Sequence, residues 1–147
     1  MLVDSHCHLD RLDTTDREGG ISAVLEAAKE RGVSHFLSVA VDISTSKSLL
    51  ELTAQHDNVY SSVGAHPLQK VQQAVPTVEE LVELAKQPGV VAIGETGLDN
   101  FYSSETIDWQ RASFINHLKA SQQINKPVII HTRDARDETI RLLRQYT

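Results

Sequence analysis

The chain has 147 residues, of which 40% are hydrophobic and 23% charged, values typical of a single globular domain. Its net charge of −6 argues against tight non-specific binding of long duplex nucleic acid, which requires Lys and Arg to neutralise phosphates. It contains no apolar run near the ~20 residues of a membrane span, no basic start of a signal peptide, and a single cysteine. We therefore expect a cytoplasmic protein that does not bind membranes.

Apolar runs alternate with helical patterns along the chain. The predicted strands are Leu2–Ser5, Ser34–Ala40, Val59–Gly64, Val90–Gly94 and Pro127–His131. Apolar residues recur at helical spacing within residues 21–28, 78–85, 107–118 and 140–143. The predicted signals at the helix ends are Gly32 after the first, Thr77 with Glu80 before the second, and Asp134 before the last.

Five β–α units in a row predict a parallel sheet, either open and doubly wound or part of an eight-fold barrel. The Gly-rich dinucleotide fingerprint follows none of the predicted strands, which disfavours the nucleotide-binding form of the open sheet. Polar residues follow strands one, three, four and five, as in barrel enzymes. Because a barrel usually takes ~250 residues, we expect residues 1–147 to be the N-terminal part of one (β/α)8 TIM-barrel domain, with about five of its eight units.

His6 and His8 form a His-x-His pair at the end of the first predicted strand. Side chains two residues apart on a strand point to the same side, ~6–7 Å apart, so the two imidazoles can converge on one cation. Alone this motif is weak. Cys7 points the opposite way and is expected to pack in the wall. The histidines expected to be structural or surface residues are His35, His56 and His117.

Glu95 and His131 follow the fourth and fifth predicted strands. Glu95 is either a metal ligand or a surface or helix N-terminal carboxylate, and its position between Gly94 and Gly97 is typical of a functional turn. His131 is either a ligand or a satisfied core histidine. Two carboxylates can each orient a ligand or close a turn: Asp10 and Asp99.

His66 and Arg133 are the remaining candidates for the site. His66 precedes Pro67 after the third strand, where it either lines a pocket or only shapes a turn. Arg133 follows His131 by two residues, so both side chains can face the same opening of the barrel. A guanidinium there can hold a phosphate through paired hydrogen bonds. Its alternative partners are the neighbouring Asp134 and Asp137.

Four segments, in this order, resemble the motifs of the TatD family of metal-dependent deoxyribonucleases, within the amidohydrolase superfamily of distorted (β/α)8 barrels. They are VDSHCHLD at 3–10, GAHP at 64–67, GETGLD at 94–99 and HTRDA at 131–135. The resemblance covers essentially the whole chain. It implies that His6 and His8 bind one metal ion, that Glu95 bridges two ions, that His131 binds the second, and that His66 lines the substrate pocket.

The family pattern also includes a histidine after the sixth strand and an aspartate at the end of the eighth. Both positions lie beyond the five units predicted in residues 1–147. We therefore expect this chain alone to be a poor enzyme, because each ion would be under-coordinated. Unpaired sheet edges also favour self-association of the chain.

The resemblance implies a hydrolase of phosphodiester bonds, a TatD-type deoxyribonuclease acting on DNA or a small phosphodiester. Two divalent ions (Mg, Mn or Zn) would activate a water for attack on phosphorus, with Glu95, His66 and Arg133 as catalytic residues. Two alternatives stay open: another amidohydrolase acting on an amide or small ester, and a non-catalytic, truncated metal-binding module.

Overall fold

Five parallel strands form one sheet with the order β1-β2-β3-β4-β5 in a computed structural model that describes residues 1–69, 73–102 and 104–146. The strands are β1 (Leu2–Cys7), β2 (Val33–Ser38), β3 (Val59–Val63), β4 (Val90–Asp99) and β5 (Val128–Arg133). Each strand pairs in parallel with the next one along the chain. Because crossovers between parallel strands are right-handed, sequential pairing places the connecting helices on one face of the sheet, as in a half-barrel. A doubly wound sheet instead reverses its strand order. The predicted barrel architecture is confirmed.

The helices connect and cover these strands. They are α1 (Gly20–Glu30), α2 (Ile43–Gln55), α3 (Val78–Ala85), α4 (Ile107–Ile124) and α5 (Arg136–Tyr146), with 3-10 turns at Leu9–Arg11 and Ser104–Thr106. Within the described ranges, no helix is both long and apolar enough to cross a bilayer.

The helix α2 was not predicted, because its Ser- and Thr-rich sequence carries only a weak apolar stripe. A capping box nevertheless marks its start. The Asp42 carboxylate accepts the Thr45 N–H at 2.7 Å, and the Thr45 hydroxyl accepts the Asp42 N–H at 3.1 Å.

The start of α5 corrects a second prediction, since Asp134 does not cap it. Asp134 has a left-handed φ of 51°, whereas an N-cap residue is extended. The first helical hydrogen bond is accepted by Ala135, from the Thr139 N–H at 2.9 Å. Ala135 therefore occupies the N-cap position.

Strand β4 extends through Asp99 rather than ending at Gly94, so Glu95 lies inside a strand and not in the predicted turn. Gly94 and Gly97 have φ values of 130° and 141°, which residues with side chains rarely adopt. A Cβ atom at Gly97 would overlap with the carbonyl oxygen of His131. The glycines thus let β4 change register and still approach β5 closely.

The core lies between the sheet and the helices. Its largest fully buried side chains include Phe114, Leu49, Leu81, Ile93 and Leu98. The opposite face of the sheet is open in this chain, with Val3 57% exposed, although the apolar runs predicted cover on both faces. In a barrel this inner face is covered only by the other strands.

Cys7 packs against the cluster formed by Leu9, Leu25 and Phe36, as predicted. Its thiol donates to the Leu37 carbonyl at 3.3 Å. Burial, reinforced by the charges of Asp4 and Asp10, raises the pKa of the Cys7 thiol to about 12. Cys7 is therefore a neutral structural residue near pH 7.

Candidate metal centre

Five candidate residues meet at the carboxyl-terminal edge of the sheet. His6 lies near the end of β1 and His8 directly after it, Glu95 lies in β4 and His131 in β5, and His66 follows β3. This edge is where barrel proteins collect functional side chains from several strands. Their ligand atoms fall into two groups that share Glu95.

The first group consists of His6, His8 and Glu95, whose ligand atoms all lie within 4.8 Å of one another. The Nε2 atom of His6 is 3.4 Å from Oε2 of Glu95. The Nδ1 atom of His8 lies 2.8 Å from the Val39 carbonyl, to which it donates, so the lone pair of Nε2 is left for a ligand. A hydrogen bond of this kind fixes both the tautomer and the ring orientation of a metal-binding histidine.

The second group consists of His66, Glu95 and His131, again within 4.8 Å. The other Glu95 oxygen, Oε1, lies 3.6 Å from His131 Nδ1 and 3.9 Å from His66 Nε2. The same two histidine nitrogens are 3.1 Å apart. The family resemblance implied that His66 lines the substrate pocket, but its membership of this group was not predicted. Its position directly after a buried strand was the available signal.

Asp99 orients His131 from behind. The carboxylate is fully buried, and its Oδ2 atom lies 2.9 Å from His131 Nε2, which leaves Nδ1 toward Glu95. Its Oδ1 atom accepts the N–H groups of Phe101 at 3.0 Å and Tyr102 at 2.9 Å. Asp99 thus both orients a candidate ligand and closes a turn, the two roles that the sequence left open.

Burial and hydrogen bonding set the charge states in the site. Burial lowers the pKa of His66 to about 4, although the Glu95 carboxylate opposes this shift. Burial alone would raise the pKa of Asp99, but the hydrogen bonds from Tyr102, His131 and Phe101 lower it below its usual value. At neutral pH the site therefore presents an uncharged His66 and an ionised Asp99.

A cavity of about 340 Å³ opens beside these groups. His8, His66 and Glu95 line it, together with residues that the sequence did not single out: Arg11, Val41, Asp42, Leu68 and Gln69. A substrate in this cavity would contact members of both histidine groups.

Arg133 and Asp10 lie outside the two groups. The Arg133 guanidinium is 4.0 Å from the ring centre of Phe101 and 4.5 Å from that of Tyr102. Among the described residues it forms no ion pair with Asp134 or Asp137, so that alternative is wrong. Asp10 is exposed on the first 3-10 turn.

The other histidines lie outside these groups. His35 contacts Ser34, His56 ends α2, and His117 is fully buried in α4.

The donor set fits a divalent cation. Imidazole nitrogen with carboxylate oxygen suits Zn²⁺ or Mn²⁺, whereas Mg²⁺ prefers oxygen. Three of the four imidazoles are already oriented by hydrogen bonds: His8 by the Val39 carbonyl, His131 by Asp99, and His66 by the Leu68 N–H, which its Nδ1 accepts at 3.1 Å. Glu95 supplies negative charge between the two groups.

A half-barrel whose candidate His and Glu ligands gather at the carboxyl-terminal edge of the sheet defines a barrel protein with a candidate metal centre. Residues 3–147 match the family described as TatD related DNase, and the chain belongs to that family.

Two curated bacterial proteins are similar to this chain. An uncharacterized metal-dependent hydrolase of Escherichia coli K12, YcfH, is 46% identical over 144 residues, covering 98% of this chain and 54% of that protein. The 3'-5' ssDNA/RNA exonuclease TatD of the same strain is 35% identical over 120 residues, 82% of this chain and 46% of that protein. The chain thus spans about half the length of these relatives.

A solved structure extends the comparison to the fold. The crystal structure of the TatD homologue YJJV from Escherichia coli K12 superposes with a TM-score of 0.86 at 26% identity. The match covers 99% of this chain and 56% of that one.

Proposed function

We propose that the complete protein containing these residues is a divalent-metal-dependent hydrolase of phosphodiester bonds, a deoxyribonuclease of TatD type. The observation that carries the proposal is the position of Glu95, whose two oxygens face different histidine groups, His6 at 3.4 Å and His131 at 3.6 Å. A carboxylate between two nitrogen clusters is suited to bridging two cations. Membership of the TatD related DNase family and the similarity to a protein named as a 3'-5' ssDNA/RNA exonuclease support DNA as the substrate.

Each residue has a separate task in this proposal. His6 and His8 would hold one cation, His131 the other, and Glu95 both, with His66 next to the second. Bound divalent cations would supply Lewis acidity and would neutralise the charge that develops on the phosphoryl oxygens. Val39 and Asp99 hold the rings of His8 and His131 in place before any ligand arrives.

The reaction that this arrangement serves is addition of water to a phosphodiester. The oxygen of water bonds to phosphorus, one P–O ester bond breaks, and the leaving oxygen receives a proton. The products are a phosphomonoester and a free hydroxyl group. The NH groups at the edge of the Arg133 guanidinium are suited to hold a non-bridging phosphate oxygen.

Replacement of Glu95 by glutamine tests the proposal. Glu95→Gln removes the shared charge and almost no volume, so we expect DNA cleavage by the complete protein in saturating Mg²⁺ or Mn²⁺ to fall at least about a hundredfold. Circular dichroism should show an intact fold. The matched control is Glu51→Gln, at an exposed position of α2, which should leave cleavage unchanged.

Cleavage by Glu95→Gln within a few-fold of the parent would contradict the role of Glu95. Chelator-sensitive hydrolysis of an amide or small ester without DNA cleavage would favour another amidohydrolase reaction. Bound metal without turnover of either substrate class would favour a non-catalytic module.

A further inference from the structure

Two aromatic rings and a guanidinium form an exposed cluster beside the candidate metal centre. Phe101 and Tyr102, directly after β4, are 57% and 61% exposed. Their ring centres are 4.6 Å apart and the ring planes meet at 88°. The guanidinium of Arg133 lies 4.0 Å and 4.5 Å from the two ring centres. We call Phe101, Tyr102 and Arg133 the aromatic cluster.

The aromatic cluster lies outside the core that the described residues form. None of the three hydrophobic clusters of the described residues includes either ring. Two adjacent rings left more than half exposed present a large apolar surface at the carboxyl-terminal end of β4, the end of the sheet at which barrel proteins bind ligands. Arg133 is also exposed.

The backbone holds the aromatic cluster in place. The Asp99 carboxylate accepts the N–H groups of both Phe101 and Tyr102. The Asn100 N–H donates to the Arg133 carbonyl at 3.0 Å, and the Asn100 side chain donates to the Asp134 carbonyl at 2.9 Å. These bonds tie the segment after β4 to the end of β5, so a ligand would meet a pre-organised surface and lose little entropy in ordering it.

One carboxylate links the aromatic cluster to the candidate metal centre. Asp99 uses Oδ1 for the backbone of the two aromatic residues and Oδ2 for the ring of His131. Arg133 lies two positions beyond His131 on β5, opposite Asp99 in the parallel register. A linear ligand with one of its units bound at His131 would therefore place the next unit against the aromatic cluster.

The chemistry of the cluster selects the ligand. Flat rings suit a planar aromatic group, while the guanidinium excludes cationic ligands and attracts anionic ones. A nucleotide combines a planar base with a phosphate. The base must be unpaired for its face to stack on a side chain, which is the case in a single strand.

We propose that Phe101, Tyr102 and Arg133 form a stacking subsite for an unpaired base of single-stranded DNA, next to the phosphodiester at the candidate metal centre. The proposal rests on the proposed function and deepens it. Stacking on side chains tolerates any base, because every base has a π face. The subsite therefore selects single strands over duplexes without selecting a sequence.

The test compares two probes of equal length on the complete protein: fluorescein-labelled decathymidylate and a decamer of abasic residues with the same backbone. Both carry the same phosphates, so the ratio of their affinities in fluorescence anisotropy reports the contribution of the bases, and the variants without rings report how much of it is stacking. Stacking of one base predicts that the parent binds decathymidylate about five- to a hundredfold more tightly. The double variant Phe101→Leu/Tyr102→Leu keeps apolar volume without rings and should bring the ratio close to one, whereas Tyr102→Phe should preserve more of it than Tyr102→Leu.

The matched control is Tyr146→Leu. Tyr146 also has a cation near its ring, Lys119 at 5.9 Å, but it lies at the far end of α5 from β5. This variant should keep the parental ratio. A parental ratio near one, or a ratio unchanged in the double variant, would overturn the subsite. Base-dependent binding without DNA cleavage would overturn the proposed function but not the subsite. DNA cleavage without base-dependent binding would overturn the subsite but not the proposed function.

Discussion

Asp99 connects the ring of His131 to the backbone of Phe101 and Tyr102 through its two carboxylate oxygens. It is fully buried, and its hydrogen bonds to the His131 ring and to the backbone of Phe101 and Tyr102 lower its pKa. The charged carboxylate makes the His131 ring a better electron donor and fixes its direction. One side chain thus determines where a candidate ligand and the aromatic segment lie.

We expect Asp99→Asn to weaken divalent metal binding by about 10- to 100-fold, the range typical of losing a carboxylate behind a metal-bound histidine. The amide retains the size of the carboxylate but not its charge. Isothermal titration of the complete protein with Mn²⁺ measures the effect, and Asp137→Asn at an exposed position of α5 is the control. Equal affinity in Asp99→Asn and the control would show that the negative charge of Asp99 does not tune the site.

Helix α4 positions the segment that carries His66. The buried His117 accepts the Ala65 N–H on Nε2 at 3.0 Å, and its Nδ1 donates to the Ser113 carbonyl at 2.7 Å. Burial lowers the pKa of His117 to about 4, although the Ser113 carbonyl opposes the shift. The ring is therefore neutral at pH 7 and serves as a structural acceptor, in line with the expectation that His117 is structural.

This burial predicts a pH dependence of stability. The folded pKa of His117 lies below the unfolded value of ~6.5, so the unfolded chain takes up a proton first as the pH falls. The free energy of unfolding should decrease between about pH 6.5 and pH 4, by up to about 3 kcal/mol from this residue. His117→Gln retains an acceptor for Ala65 without a titrating group, so urea unfolding of the variant should show a shallower decline over that range.

The comparison with the parent removes the contributions of all other titrating groups, including His66. Parallel declines in parent and variant would mean that His117 is accessible to protons in the folded state.

The strand–helix alternation and the strand-end residues could be predicted from the sequence, because buried parallel strands are continuous apolar runs. The extension of β4 could not, since it depends on Gly94 and Gly97 adopting a left-handed φ beside β5. Helix α2 escaped prediction because its apolar stripe is weak, although Asp42 and Thr45 carried its capping signal.

The contacts of side chains were less predictable than their strand positions. The sequence placed Arg133 and His131 two residues apart but did not show that the rings of Phe101 and Tyr102 pack against the guanidinium. The second group of candidate ligands likewise depends on the 3.1 Å approach of His66 to His131, which only the tertiary structure reveals.

The 147-residue chain is a half-barrel with two unpaired edge strands, β1 and β5, among the described residues. Its inner face exposes Val3 and Val91 beside a concavity of about 410 Å³. Unpaired edges and exposed apolar surface both promote association between chains. Self-association of this chain in isolation therefore stays a prediction with a physical basis.

We propose that Glu95 joins two cation sites at the carboxyl-terminal edge of the barrel. Anomalous diffraction from Mn²⁺-soaked crystals of the complete protein tests it directly. We expect two peaks, one contacting His6, His8 and Glu95 and the other contacting Glu95 and His131. No peak at Glu95 with millimolar Mn²⁺ present, or cations bound only elsewhere, would contradict it.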